Sequence, residues 1–284
     1  VLKNIEVITG DVRDEYLIRQ IIKKKVDVVI NLAALIGIPY SYISQKNYIE
    51  TNTIGTLNIM QAAKKNKIKK IIHTSTSEVY GTAEYVPIDE RHPIKAQSPY
   101  SASKISADQV AISFNKSFNL PVTILRPFNT FGPRQSNRAI IPTIMSQILT
   151  NNPIVKLGNT KPKRDFSYID DTIKGFYLAL ISKNKNIYGE TINLGSGYDI
   201  SISELFQMIQ KIAGKKVYLK IENKRKRALK SEVYRLKASN KKAKKLLNWI
   251  PKYHGKKGLY KALVLTFKWL KNNRNDNKSS TYNI

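Results

Sequence analysis

The 284-residue sequence has no cysteine and only three histidines. That excludes a disulfide framework and any thiolate metal site, and scattered histidines argue against zinc, so no metal is expected. A chain without thiols also fits a reducing cytoplasm. Acidic residues are scarce, 20 against 49 lysines and arginines, which leaves a formal charge of +29. Long apolar runs are missing as well. The most hydrophobic late stretch, LYKALVLTF at 259–267, holds a lysine and is too short to cross a bilayer, and no signal-peptide pattern opens the chain. No membrane partner is expected. Few aromatics lie among the lysines, whereas single-strand binders set stacking rings among their charges. The lysines fall at helix ends and exposed faces, at 23–25, 64–70 and 241–245, which reads as a solvated surface and not as a nucleic-acid interface.

What is present is a globular pattern. The chain is 42% hydrophobic, and only the final NNRNDNKSSTYNI, residues 272–284, has nothing to bury and reads as a disordered tail. Apolar runs IEVI, DVVINLA, KIIHTS and VTILRP alternate with helical periodicity near 15–24, 48–66, 98–118 and from about residue 140. Strands without polar alternation, separated by helices, indicate a parallel sheet covered on both faces: an α/β, Rossmann-like doubly wound fold. Beyond residue 150 the pattern loosens, with helices near 171–182, 201–213 and 240–247, the last closed by Trp249 and Pro251. Residues 1–150 thus read as a dinucleotide-binding domain and 151–271 as mostly a smaller substrate-binding region. One absence bears on this: no glycine-rich turn follows an early strand, although a dinucleotide pyrophosphate needs one at a helix N-terminus. The opening β-α-β unit is expected to be missing, an N-terminal truncation of roughly 30 residues or more.

The strongest chemical signal is PYSASKISAD, which sets Tyr100 and Lys104 four residues apart on one helix face. A tyrosine serving as a base near neutrality must lose roughly 3 pKa units, about 4 kcal/mol. An ammonium about 4 to 5 Å away, at an effective dielectric of about 20, supplies roughly 3 to 4 kcal/mol. Spacing alone is also what an ordinary surface helix shows. Upstream, however, HTSTSEVYG places Ser75, Thr76, Ser77 and Glu78 at the carboxyl edge of the sheet, where ligands of such folds bind.

With these residues in view, the chain resembles the extended short-chain dehydrogenases/reductases of the nucleotide-sugar epimerase, dehydratase and decarboxylase group. GDVRD, NLAA, NTIGTLN, STSEVYG, YSASK, RPFNTFGPR, RDFSYIDD, NLGSG and KAKKLLNWIP follow in the order of that family. The resemblance implies NAD as cofactor, a nucleotide-sugar as substrate and a homodimer built on the helices at 48–66 and 98–118. It places Asp11 and Val12 beside the adenine, and Leu32, Ala33, Ala34, Asn52, Ser75 and Pro127 along the cofactor cleft. Tyr100 would be the base and Lys104 the ribose anchor, with Thr76, Ser77 and Glu78 completing the catalytic set. Asn129, Arg164, Arg227 and, more weakly, Arg138 match positions that hold the nucleotide diphosphate, a role suited to a planar guanidinium.

The shared first step of the family oxidises sugar C4. A C4 ketone acidifies the proton at C5, so a carboxylate at Glu78 could remove it and expel the C6 hydroxyl, giving 4,6-dehydration. Simple 4-epimerases of the family usually carry a small residue there. UDP-glucuronate decarboxylases also resemble STSEVYG and stay open as an alternative, as do 4-epimerisation and a non-catalytic dinucleotide sensor or nucleic-acid binder. Many dehydratases have aspartate where this chain has Ser77. The runs NLAALIGIPYSY, GTAEYVPIDE and RPFNTFGPRQSNRAIIPTI resemble the legionaminic acid branch, whose dehydratases act on nucleotide-activated N-acetylglucosamine and carry serine before the glutamate. Ala228 departs from the proline usual in that branch.

Overall fold

A computed structural model describes residues 5–23, 26–150 and 152–273. From the amino end, α1 (Glu15–Lys23) leads to β1 (Val28–Asn31). The short helices α2 (Ile38–Ser41) and α3 (Gln45–Tyr48) then run through a π-helical turn (Ile49–Ile54) into α4 (Gly55–Lys65). Next come β2 (Lys70–Thr74), a 3-10 turn (Ser77–Tyr80), α5 (Pro99–Phe118), β3 (Val122–Pro127), β4 (Asn129–Phe131), α6 (Ile140–Leu149) and β5 (Ile154–Leu157). The chain continues through β6 (Lys163–Tyr168), α7 (Ile169–Ile181), β7 (Thr191–Leu194), β8 (Asp199–Ser201), α8 (Ile202–Ala213) and β9 (Tyr218–Ile221). It ends in α9 (Lys241–Leu247) and α10 (Gly255–Asn272). Most of the tail expected at 272–284 lies outside the described residues; Asn272 and Asn273 close α10.

Four parallel strands in the order β1-β2-β3-β7 form the first sheet. Alternate side chains go to opposite faces, which is why these strands are apolar throughout. Ile71, Val122 and Ile124 pack under Ile22, Ile59, Met60, Ala63 and Ala111 of α1, α4 and α5. Ile72, Leu125, Ile192 and Leu194 pack under Ala179, Ala243, Leu247 and Trp249 on the other face. The Trp249 indole N–H donates to the Asp171 carbonyl at 2.9 Å, so the ring is anchored as well as buried. Gly175 lets α7 close on β7, since a Cβ there would stand 2.6 Å from Leu194 Cδ1.

Two features depart from the sequence reading. IEVI forms no strand: residues 5–8 join no ladder, and Val7 is 68% exposed. A strand exists only through its partners, and among the described residues β1 pairs with β2 alone. The division at residue 150 is also crossed. β7 returns to pair with β3, whose buried apolar edge needs a covering strand, and α7 and α9 cover that face.

The remaining pieces form a second layer. β4, β6 and β8 make a mixed sheet, β5 and β9 a parallel pair, and α6, α8 and α10 enclose a core that includes Ile144, Met145, Phe166, Leu205 and Leu263. α8 is bounded by a Ser201–Glu204 capping box and by Gly214 at φ 64°. Among the described residues no helix is long and apolar enough to cross a membrane.

Candidate active site

The carboxyl ends of β1, β2 and β3 carry the chemistry. At the end of β1, Asn31 accepts from Ala33 N at 3.2 Å, and its amide reaches Thr56 and His73, which shapes the turn through Leu32, Ala33 and Ala34. Leu32 is 66% exposed there. Asn52, buried on the π-helical turn, accepts from Leu35 N at 2.8 Å and donates to Leu35 O at 3.0 Å and Ser103 Oγ at 2.9 Å. One amide therefore locks the β1 exit loop to α5. A π-helical turn re-aims the side chains of a helix and recurs at functional sites. Asp11 stays exposed and bidentate with Arg13, which together with its backbone bond holds its carboxyl at about 2. Asn58 donates to the carbonyls of Val12 and Arg13 at 3.1 Å, fixing that loop on α4.

α5 begins where the chemistry needs it. Ser98 and Ser101 form a capping box and Pro99 occupies the first turn, so Tyr100 projects from the helix start towards β2. Tyr100 is 7% exposed and lies edge-on to Tyr48, ring centroids 6.2 Å apart. Burial pushes its phenol up, and the Thr76 hydroxyl works against this. Lys104, 3% exposed, donates to the Thr74 carbonyl at 2.6 Å. The expected lowering of Tyr100 by the Lys104 ammonium is therefore not what the structure holds. The ammonium is drawn to a strand carbonyl, and desolvation of the phenol dominates.

Thr76 caps the 3-10 turn, accepting from Glu78 N at 3.2 Å, and this turn buries Ser77 and Glu78. The Glu78 carboxylate, 7% exposed, lies 3.5 Å from Arg227 and within electrostatic reach of Tyr100 and Arg164. Arg164 is buried on β6 and pairs with Glu232 at 3.4 Å. The Arg227 Nη1 atom is buried without a hydrogen-bond acceptor, as is the Asn129 Oδ1 atom on β4, the strand beside β6. Arg227 rides on a strap that leaves β9 and is pinned beyond it by Ser231, which meets the Tyr42 hydroxyl at 2.6 Å. The structure thus brings Tyr100, Thr76, Glu78, Arg164 and Arg227 to one place. Arg138 is exposed and stands apart, its charge felt by Tyr48. Pro127 ends β3 half-buried.

Ser75 turns away from the cleft expected for it, donating to Asp108 Oδ2 at 2.7 Å. The same oxygen accepts from Arg126 Nε at 3.2 Å and Nη2 at 2.8 Å, while His73 Nε2 stands 3.4 Å from Oδ1. Arg126 continues to the Tyr80 hydroxyl at 3.0 Å, and Tyr80 donates to Asn193 Oδ1 at 2.8 Å. Neither Asp108 nor the orphaned Thr74 hydroxyl was singled out by sequence. Asp108 did carry a signal, since Tyr100, Lys104 and Asp108 step along one helix face at four-residue intervals.

A tyrosine and lysine at this spacing on the helix after the second strand of a doubly wound sheet, with hydroxyls at the strand end, define a short-chain dehydrogenase/reductase. The family model described as GDP-mannose 4,6 dehydratase matches residues 1–262. The chain belongs to this family of NAD-dependent nucleotide-sugar 4,6-dehydratases and 4-epimerases. It is 33% identical over 275 residues to a putative UDP-glucose 4-epimerase of Methanocaldococcus jannaschii, covering 94% of this chain and 85% of the relative. Against the dTDP-D-glucose 4,6-dehydratase of Dictyostelium discoideum it is 33% identical over 74% of this chain, and spans half of that protein. The UDP-glucuronic acid 4-epimerase of Bacillus cereus, solved with UDP-glucuronic acid and NAD, matches with a TM-score of 0.84 and 31% identity over 93% of this chain and 81% of that one.

Proposed function

We propose that the chain is a nucleotide-sugar 4,6-dehydratase that uses NAD and acts on UDP- or GDP-linked N-acetylglucosamine, the substrate of the legionaminic acid branch its motifs resemble. The observation that carries this reading is the buried Glu78 carboxylate beside Tyr100 and Arg227. An epimerase needs no acid or base at that place.

The residues suit NAD. The β1 exit offers an exposed leucine and two alanines, small enough for a flat ring system, and the buried Thr74 hydroxyl has no partner among the described residues. Asp11 and Val12 would border the adenine end, and Leu32, Ala33, Ala34, Pro127, Tyr100 and Lys104 the nicotinamide end. When bound, NAD supplies hydride chemistry at C4 and C6.

The side chains do the rest. Tyr100 takes the C4 hydroxyl proton as the C4–H bond breaks, leaving a ketone, and the Thr76 hydroxyl bears part of the phenolate charge. Glu78 removes the C5 proton that the ketone has acidified. Serine is far too weak an acid to replace the usual aspartate, so Glu78 itself passes a proton to the C6 oxygen, and the C6–O bond breaks with loss of water. As C6 is reduced, C5 regains a proton from solvent through Glu78. Arg164 and Arg227 grip the diphosphate, which competes with Glu78 for Arg227 and frees the carboxylate as substrate arrives. Asn129 would contact the nucleotide, and Arg138, exposed and apart from the cluster, would reach it only from the rim. Ile49, Ile54 and Phe118, exposed on the helices at 48–66 and 98–118, favour a homodimer through that surface in the cytoplasm, which light scattering tests.

Incubation with NAD and UDP- or GDP-N-acetylglucosamine should release a product lighter by one water. Loss of carbon dioxide from UDP-glucuronate without dehydration, or a C4 epimer of unchanged mass, would overturn the proposal in favour of the decarboxylase or the epimerase.

A further inference from the structure

We infer that Asp108 is a positioning residue for C4 oxidation: it neutralises the buried Arg126 and ties Ser75 to α5, so that Lys104, one turn from Tyr100 on α5, keeps its charge. The inference rests on the proposed function only for the first, oxidative step.

The geometry is a cluster of charges with almost no water. Asp108 is 0% exposed, one helical step past Lys104 and two past Tyr100. From β2 it meets His73, from the residue just beyond that strand Ser75, and from β3 Arg126. The 3-10 turn contributes Tyr80, through Arg126, and Glu78, which faces Tyr100. Tyr48 of α3 packs on Tyr100, and Glu50 of the π-helical turn points outward to Arg13 and Lys46. Burial keeps His73 neutral, so it adds no charge. Burial likewise works against the Lys104 ammonium, and Asp108 is the group that supports it.

Without Asp108, Arg126 and Lys104 would be two unbalanced cations in one dry region. A guanidinium cannot release its proton in a protein, whereas a buried lysine does so readily. Lys104, held in this structure on the Thr74 carbonyl, would therefore become neutral, and α5 would lose the cation one turn from Tyr100 on which proton transfer during C4 oxidation draws. The turn carrying Thr76 and Glu78 would also lose its Ser75 tether. If Asp108 only packed the helix, the sign of the charge removed would not matter.

The test uses holoenzyme and nucleotide-sugar, and follows nicotinamide absorbance in single turnovers as a function of pH, below the unfolding temperature. Asp108→Asn should move the alkaline limb down by about one pH unit and lower the oxidation rate at pH 8 about tenfold. Arg126→Met, which leaves Asp108 as an unopposed anion beside Lys104, should move that limb the opposite way. The double variant should return the limb to its wild-type position. Limbs that stay at the wild-type pH in both single variants, or move in the same direction, overturn the inference. Should Asp108→Asn not fold, the direction of the shift in Arg126→Met decides. Product mass reports on dehydration and the pH limb on Asp108, so the two proposals fail separately.

Discussion

Asp108, beneath the first sheet's active edge, and Asp165, on β6 of the second layer, are both fully buried, yet they sit at opposite ends of the carboxylate range. Burial alone would raise both. For Asp108, His73, Arg126 and Ser75 outweigh burial and bring it down to about 2. Asp165 is held by neutral donors: Ser196 N at 2.7 Å, Ser196 Oγ at 2.6 Å, Gly197 N at 2.9 Å and Ala238 N at 3.0 Å. Those four bonds offset burial only in part, and its carboxyl rises to about 6. At equal burial, an imidazole and a guanidinium together achieve for Asp108 what four neutral hydrogen bonds do not for Asp165. The functions divide accordingly. Asp108 manages charge under the oxidation site, while Asp165 ties β6, the turn at Gly197 (φ 73°) and residue 238 into one clamp next to Arg164.

Breaking the charged member should have the largest effect. Asp108→Asn leaves Arg126 buried and unpaired, and urea unfolding at pH 7 should show a loss of about 3 to 5 kcal/mol. Replacing both partners by apolar residues should recover most of it.

The pH dependence of stability separates the two aspartates by sign. Asp165, raised from 3.8 to about 6, stabilises the fold below pH 3.8, and that contribution is lost as pH rises through 6. The loss amounts to about 3 kcal/mol. Asp108, lowered to about 2, stabilises above pH 3.8 and loses its contribution, about 2 kcal/mol, as pH falls through 2. Denaturant titrations across pH 2 to 7 should show Asp165→Asn flattening the upper window and Asp108→Asn the lower one.

Lys70 offers the cationic counterpart of Asp165. Its buried ammonium donates to the carbonyls of Ala179, Leu180 and Ser182 at the end of α7, with no carboxylate among these partners. Lys70→Met should cost about 1 to 2 kcal/mol, less than the loss for Asp108, because no opposite charge is stranded. At the far end of the scale, Lys69→Ala removes an exposed pair with Asp27 at 2.7 Å and should leave the unfolding midpoint unchanged.

The alternation of apolar runs and helical periods was enough to read the sheet and its helices, because strands buried on both faces leave an unmistakable pattern. Tyr100, Lys104 and Glu78 were legible for a similar reason: each lies in a short run whose spacing fixes its face. The direction in which Lys104 points was not, since Thr74 O is a backbone atom and leaves no mark on side-chain spacing. Asp165 and Arg126 were hidden because their partners lie 18 to 73 residues away and meet only through tertiary packing. IEVI misled because its composition is that of a strand while its pairing depends on neighbours that composition does not reveal. β7 was missed as part of the first sheet because it returns from beyond the apparent boundary, which only the topology discloses.

The role of Glu78 is open to one direct measurement, in which wild-type protein and Glu78→Gln are each incubated in D2O with NAD and UDP- or GDP-N-acetylglucosamine, and the product is analysed by mass spectrometry. The wild type should release a sugar lighter by one water with one deuterium at C5, while Glu78→Gln still reduces NAD and releases no dehydrated sugar. A Glu78→Gln protein that dehydrates and incorporates deuterium at the wild-type rate would contradict the assignment.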